Sequence, residues 1–377
     1  MNFSKSPGKK RIGIIVLGMH RSGTSVLTRI INILGAELPV NCLGANESNA
    51  TGHWEPRSLI WLHEHMLHEG GSQWDDWRSF EFARMPADRQ AHFANEVSRL
   101  LREEFDSAPI FVLKEPRISR FVPLYTAAFD TWGVQPKFVL TNRNPLEVAA
   151  SLCVRDKITR EYALLIWLRH ELDAERATRG YARTFVSYEG MLNDTRPIID
   201  KIVNLVGDTA FALSEASDNE IDRFLSSRYR HHQIAIEELG SETPVLKWVS
   251  ETYAALKRLE VDANDSRATS VLDRLNAEFD ALSVNFGTVF VSESNTRIQI
   301  LRERHEEEVH SLTHTVDALR QHIVDLRREL IDSVSSNNQL AEQLQEANLM
   351  LNMILKSKTY RLSRILKRIY RVLNRPQ

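Results

Sequence analysis

Hydrophobic positions near the start of the chain change period twice. A β-branched run, Ile12-Gly-Ile-Ile-Val-Leu17, gives way to a glycine-bounded turn and then to apolar residues at helical spacing that stop at Gly35. This order predicts strand, loop, helix. Residues 37–54, rich in Asn, Gly and Pro, read as a long surface loop. Leu59, Ile60, Leu62, Met66 and Leu67 mark an amphipathic helix, and 87–105 a further one. A second strand is predicted over 109–113, ending in Lys114-Glu-Pro-Arg117, and a third over 137–141, where Pro145 is placed to open a helix. A fourth covers 184–187 and runs into Tyr188-Glu189. Strands alternating with helices imply an α/β fold of three layers around a central parallel sheet, with its ligand crevice at the carboxyl ends of the strands.

Residues 214–285 are mostly helical in pattern. Arg223, Arg228, Arg230, His231 and His232 cluster near their start, either to close over a phosphate or as a solvated basic face. Beyond Thr296 the pattern becomes a heptad seam: Val309, Leu312, Val316, Leu319, Ile323, Leu326 and Leu330, continuing through Leu340, Leu344, Ala347, Leu351 and Ile354. Charged flanks make this a coiled coil and predict a homo-oligomer, with Ser333 and Asn337 as polar seam positions that fix register. A lone amphipathic helix folded back on the globular part is the competing pattern. From residue 355 onward Lys356, Lys358, Arg361, Arg364, Lys367, Arg368, Arg371 and Arg375 occur with no acid. Leu362, Ile365, Leu366, Ile369, Val372 and Leu373 share the opposite face. Such a basic amphipathic helix suits an anionic membrane surface, while a calmodulin-type partner or a nucleic acid would use similar residues. The expected domains are therefore 1–290 globular, 291–354 coiled coil and 355–377 basic helix.

Composition narrows the setting. With a formal net charge of −2 over 377 residues, the chain is no general nucleic-acid binder, and no nucleic-acid partner is expected. Two cysteines, Cys42 and Cys153, make neither a disulfide framework nor a metal set, which fits reducing surroundings. No apolar run approaches spanning length. The expected place is cytoplasmic and peripheral, at the inner face of the membrane.

The turn after the first strand carries the chemistry. Gly18 and Gly23 allow backbone N–H groups to turn inward, and the following helix N-terminus adds partial positive charge, an arrangement that cradles a phosphate. In a nucleotide hydrolase, G-x-x-x-x-G-K-[ST] needs Lys where this chain has Thr24, and the second strand would end in a metal-binding Asp where this chain has Lys114. The loop cation is Arg21 instead, which favours an anion without a metal. Arg21-Ser22-Gly23-Thr24-Ser25 is similar to the loop that grips the 5′-phosphosulfate of 3′-phosphoadenosine-5′-phosphosulfate (PAPS) in sulfotransferases. The segments at Arg21, Lys114, Arg143 to Ser151, and Tyr188 occur in the same order as in PAPS-dependent sulfotransferases of the bacterial, Golgi and tyrosylprotein kind. The resemblance covers roughly the first 230 residues.

The resemblance implies a P-loop-like fold in which His20, Arg21, Ser22, Gly23, Thr24 and Ser25 hold the 5′-phosphosulfate. Arg143 and Ser151 hold the 3′-phosphate, Arg155 extends that site by one helical turn, and Tyr188 lies near the nucleotide. Sulfuryl transfer needs positioning, cations at the leaving oxygen and a base for the acceptor hydroxyl. The resemblance gives Lys114 the first of these cations, with Arg21 beside it, and no metal is expected. Glu55, after the long loop, is the expected base and His53 its substitute. The acceptor is expected to be a sugar hydroxyl on a lipid-linked or cell-surface polysaccharide, since a membrane-held enzyme would meet it often. Rival classes are a nucleotide-dependent kinase and a coiled-coil membrane scaffold whose head binds nucleotide without turnover.

Overall fold

The structure is a computed structural model that describes residues 11–44, 52–207, 211, 214–225, 243–332 and 339–373. The chain divides into two compact units, Met1–Asn285 and Phe286–Gln377. In the first, β1 (Arg11–Leu17) leads through a loop to α1 (Thr24–Ile33), then α2 (Arg57–Glu69), α3 (Ala87–Phe105), β2 (Ile110–Lys114), α4 (Val122–Trp132) and β3 (Val134–Asn142). There follow α5 (Pro145–Asp156), α6 (Arg160–Ala177), β4 (Arg183–Ser187), α7 (Tyr188–Asn193), α8 (Arg196–Val206), α9 (Glu215–Leu225), α10 (Pro244–Val261) and α11 (Ser266–Leu282).

Among the described residues the four strands form one parallel sheet in the order β2-β1-β3-β4. Alternate residues feed two cores. Ile14, Val16, Val112, Val139 and Val186 face one side, packed by α1 and α8. Ile15, Leu17, Phe111, Leu113, Phe138, Leu140 and Phe185 face the other, under α3 to α6, α10 and α11. Period-2 alternation with both faces buried is what a helix-covered parallel sheet requires. The order reverses between β1 and β3, so the crevice at their carboxyl ends is the topological switch point.

The strands follow the sequence pattern, with one extension. β3 begins at Val134, ahead of the predicted 137, because Pro136 lies where β3 pairs only with β1; pairing to β4 starts at Phe138. A missing N–H is tolerated there. The long loop is less superficial than expected. Cys42 bridges Pro56, and the Leu43 N–H donates to the Glu55 carbonyl at 2.7 Å, leaving Glu55 buried.

The second unit corrects the expectation of one continuous seam. α12 (Thr288–Asp332) and α13 (Gln339–Lys356), six residues apart in sequence, lie side by side, and α14 (Lys358–Leu373) packs on both. Val309, Val316, Ile323 and Leu326 are buried within this single chain. Two amphipathic helices joined by a short connection cover each other's apolar stripe in cis. Ser333 and Asn337 lie outside the described residues, as do Arg228, Arg230, His231, His232 and Arg375. No described helix is long and apolar enough to cross a membrane.

Candidate active site

The loop after β1 is shaped by left-handed backbone at Arg21 (φ 70°) and Gly23 (φ 87°), on either side of Ser22. Alternation of this kind turns successive N–H groups toward one point, an anion-binding concavity. A Cβ on Gly23 would overlap the Tyr188 ring, and one on Gly18 would lie 2.5 Å from the Thr141 carbonyl oxygen. Glycine is thus required by packing as well as by φ. Arg21 adopts the same backbone region without that freedom, the kind of strain that clusters at ligand clamps. Ser22 is fully buried, and its Oγ has no hydrogen-bond partner among the described residues, a polar atom an anion's oxygen would satisfy. Thr24 opens α1, which has no acidic residue in its first turn. The helix N-terminus therefore keeps its positive character.

Arg143 follows the end of β3, and α5 starts beside it with Asn144 as N-cap and Pro145 at the first position. The Arg143 guanidinium donates to the Arg21 carbonyl at 3.1 Å, and Arg21 Nε donates to Ser151 Oγ at 2.8 Å. Arg143 also lies 4.3 Å from the Tyr188 ring centroid and pairs with Glu147 at 2.8 Å. The loop cation and the β3 cation thus occupy one cluster, with Ser151 of α5, eight residues after Arg143, supplying a hydroxyl to Arg21. Arg155 stacks its guanidinium 5.2 Å from the Trp74 centroid and pairs with Asp156. Burial, then the charges of Arg155 and Arg143, lower the Arg21 pKa. Three crowded guanidinium groups make a field that an incoming dianion relieves.

On the other side of β1, Lys114 ends β2 and is almost fully buried. Its Nζ donates to Glu55 Oε1 at 2.5 Å and to Ser25 Oγ at 3.0 Å. Ser25 Oγ in turn lies 3.4 Å from the His53 carbonyl oxygen. Lys114, the Glu55 carboxylate and the His53 backbone therefore meet the loop after β1 at Ser25 and its neighbours. Burial, followed by Lys114 and Arg21 among the opposing cations, lowers the His53 pKa although Glu55 acts to raise it. A neutral imidazole at neutral pH can accept a proton. Among the described residues no His, Cys, Asp or Glu cluster could hold a metal ion.

Behind Lys114 lies a charged network that sequence reasoning missed. Glu115, fully buried, contacts His63 Nδ1 and Arg117, and Arg117 reaches Glu64. His63 Nε2 is 2.7 Å from the Tyr125 hydroxyl. Desolvation would raise Glu115, but Arg117 and His63 outweigh it and hold its pKa down at about 2. A signal was present: His63 interrupts the buried stripe Leu59, Met66, Leu67 of α2. A second missed residue is Glu171 of α6, whose Oε1 accepts the Met19 N–H at 3.0 Å beneath the loop. Burial pushes its pKa up to about 8. His20 is half-buried and packs against Trp74 and His170, with ring centroids 5.1 and 5.9 Å away. Burial, then Arg117, lowers its pKa well below the ordinary value. Its Nε2 is buried with no hydrogen-bond partner among the described residues. Trp77 packs in the core against Phe279.

No protein-family model and no curated protein matches the chain. Among solved structures it is similar to the sulfotransferase domain of the Synechococcus PCC 7002 olefin synthase, with a TM-score of 0.39 and 17% identity over 67% of this chain and 98% of that one. A sulfotransferase from Mycobacterium tuberculosis H37Rv gives a TM-score of 0.36 and 16% identity, covering 64% of this chain and 76% of its own. The sulfotransferase domain from the curacin biosynthetic pathway gives 0.36 and 12%, covering 66% and 99%.

Proposed function

We propose that this protein transfers a sulfuryl group from PAPS to a hydroxyl acceptor, a sugar of a lipid-linked or cell-surface polysaccharide. The observation that carries the reading is the junction of two anion sites: Arg143 hydrogen-bonded to the Arg21 carbonyl, and Arg21 to Ser151. A donor with phosphate groups at both its 3′ and 5′ ends matches two cationic sites joined at the switch point of the sheet. In this reading the backbone of residues 20–25 and the α1 N-terminus hold the 5′ end, while Arg143, Ser151 and Arg155 hold the 3′-phosphate beside Tyr188.

PAPS supplies an activated sulfuryl group when bound. The chain's own residues do the rest. Lys114, desolvated and fixed by Glu55 and Ser25, neutralises charge that develops on the leaving oxygen, and its burial makes that interaction worth more than in water. Glu55 takes the proton of the acceptor hydroxyl as Lys114 shifts toward the leaving group. His53, neutral and adjacent, is the second candidate for that role.

Thermal unfolding in the presence of 3′-phosphoadenosine 5′-phosphate and of ADP tests the reading. A nucleotide that binds the folded state raises the melting temperature by mass action. The 3′-phosphorylated nucleotide is expected to stabilise and ADP to do so far less. Equal stabilisation contradicts the reading and favours an ATP-using enzyme.

A further inference from the structure

Helix α14 is inside out by the standards of a packed helix. It contacts α12 and α13, yet among its described side chains, 358–368, the one it buries is Ser363, 4% exposed, with Tyr360 half-buried one turn earlier. Three large apolar residues of its described stretch face outward: Leu362 is 55% exposed, Ile365 57% and Leu366 40%. A helix that packs on a neighbour normally turns its apolar stripe inward, where burial of each such side chain is favourable by about 1.5–3 kcal/mol. The stripe is flanked by exposed Arg361, Arg364, Lys367 and Arg368, and no acidic side chain follows Glu346 in the sequence. α12 also exposes apolar residues, such as Val324, but sets them among acids and bases alike.

We infer that α14 is a membrane-surface element that lays Leu362, Ile365 and Leu366 into the headgroup boundary of an anionic bilayer while its arginines and Lys367 meet lipid phosphates. The charge selects the occupant. A protein groove for an amphipathic helix would have to supply acids along the whole basic flank, whereas an anionic leaflet presents negative charge to every side chain at once. Long Lys and Arg stems reach upward from a buried apolar stripe without leaving the helix. The inference stands on α14 and is independent of sulfate transfer.

Sedimentation of the full chain with vesicles tests it, comparing pure phosphatidylcholine with mixtures rich in phosphatidylglycerol. The protein is expected to partition onto the anionic vesicles and to be released by salt. Replacing Arg361, Arg364 and Arg368 by Gln should weaken binding by about fivefold for each charge removed. Leu362→Ser with Ile365→Ser, at unchanged charge, should weaken it by at least tenfold. Circular dichroism and the melting temperature of each variant separate loss of the surface from loss of the fold. Equal binding to neutral and anionic vesicles, no binding to either, or full binding by the serine variant overturns the inference. So does tight capture of an acidic protein or of DNA by a chain that ignores the vesicles.

Discussion

The two flanks of the loop after β1 solve opposite electrostatic problems. On the β2 side Lys114 is buried with Glu55 and Arg117 with Glu115, and the half-buried Glu64 pairs with Arg117 from the rim. On the β3 side Arg21, Arg143 and Arg155 crowd one another with only Glu147 and Asp156 in opposition, and the pKa of Arg21 is lowered. A paired, buried charge has a fixed position and little appetite for a new ligand. A crowded, partly solvated set of like charges has the reverse. In the proposed reading the β2 flank supplies geometry and chemistry and the β3 flank captures the anion.

Breaking the comparison on the β2 flank should cost turnover and spare binding. Glu55→Gln is expected to lower kcat by about 10²–10⁴, the range for loss of a general base, with the nucleotide-induced rise in melting temperature retained. Full activity in that variant would move the role to His53. Lys114→Met removes the buried cation that the proposed reading sets against the leaving oxygen and is expected to lower kcat by about 10²–10³. It also strands Glu55, so melting should be measured alongside turnover.

The network behind Lys114 should report as stability. Glu115→Gln leaves Arg117 and His63 without their carboxylate and is expected to cost about 3–5 kcal/mol in denaturant unfolding. The depressed pKa fixes the sign of its pH dependence. Glu115 contributes stability that is present above the ordinary carboxylate range and is lost as pH falls toward about 2. A variant as stable as the parent would mean that this network is not a scaffold for the site.

Glu171 sharpens the comparison with the opposite sign. From the ordinary carboxylate value up to about 8 the unfolded chain has released this proton and the folded chain retains it. Stability attributable to Glu171 therefore declines across that window as pH rises and is level above it. Glu171→Gln keeps an acceptor for the Met19 N–H and removes the titration. Its melting temperature should gain on the parent's with rising pH; a constant difference would show that Glu171 does not titrate there.

What could be read from the sequence was local. β1 and its loop, Lys114 at the end of β2 and Arg143 before Pro145 all depend on neighbours within a few residues, where period and turn chemistry are informative. α6 was not legible, because Arg169, His170, Glu171, Asp173 and Glu175 are all buried on it and erase the contrast between faces. Three of them find partners distant in sequence: Arg169 in Asp280, His170 in Ser119 and Glu171 in the Met19 N–H. The pairing of α12 with α13 was hidden for another reason. A heptad seam states that a helix needs a partner and does not state whether the partner is a second copy or the next helix of the same chain.

The central claim is that one pocket reads both phosphate ends of an adenosine donor, and Arg143 is where it is most exposed. Calorimetric binding of 3′-phosphoadenosine 5′-phosphate and of AMP to the parent and to Arg143→Ala tests it directly. Losing a charge-assisted hydrogen bond of about 1.5–3 kcal/mol should weaken the 3′-phosphorylated nucleotide by roughly 10- to 150-fold and bring it close to AMP. AMP itself should bind both proteins alike. Equal losses for the two nucleotides, or none for either, would contradict the account.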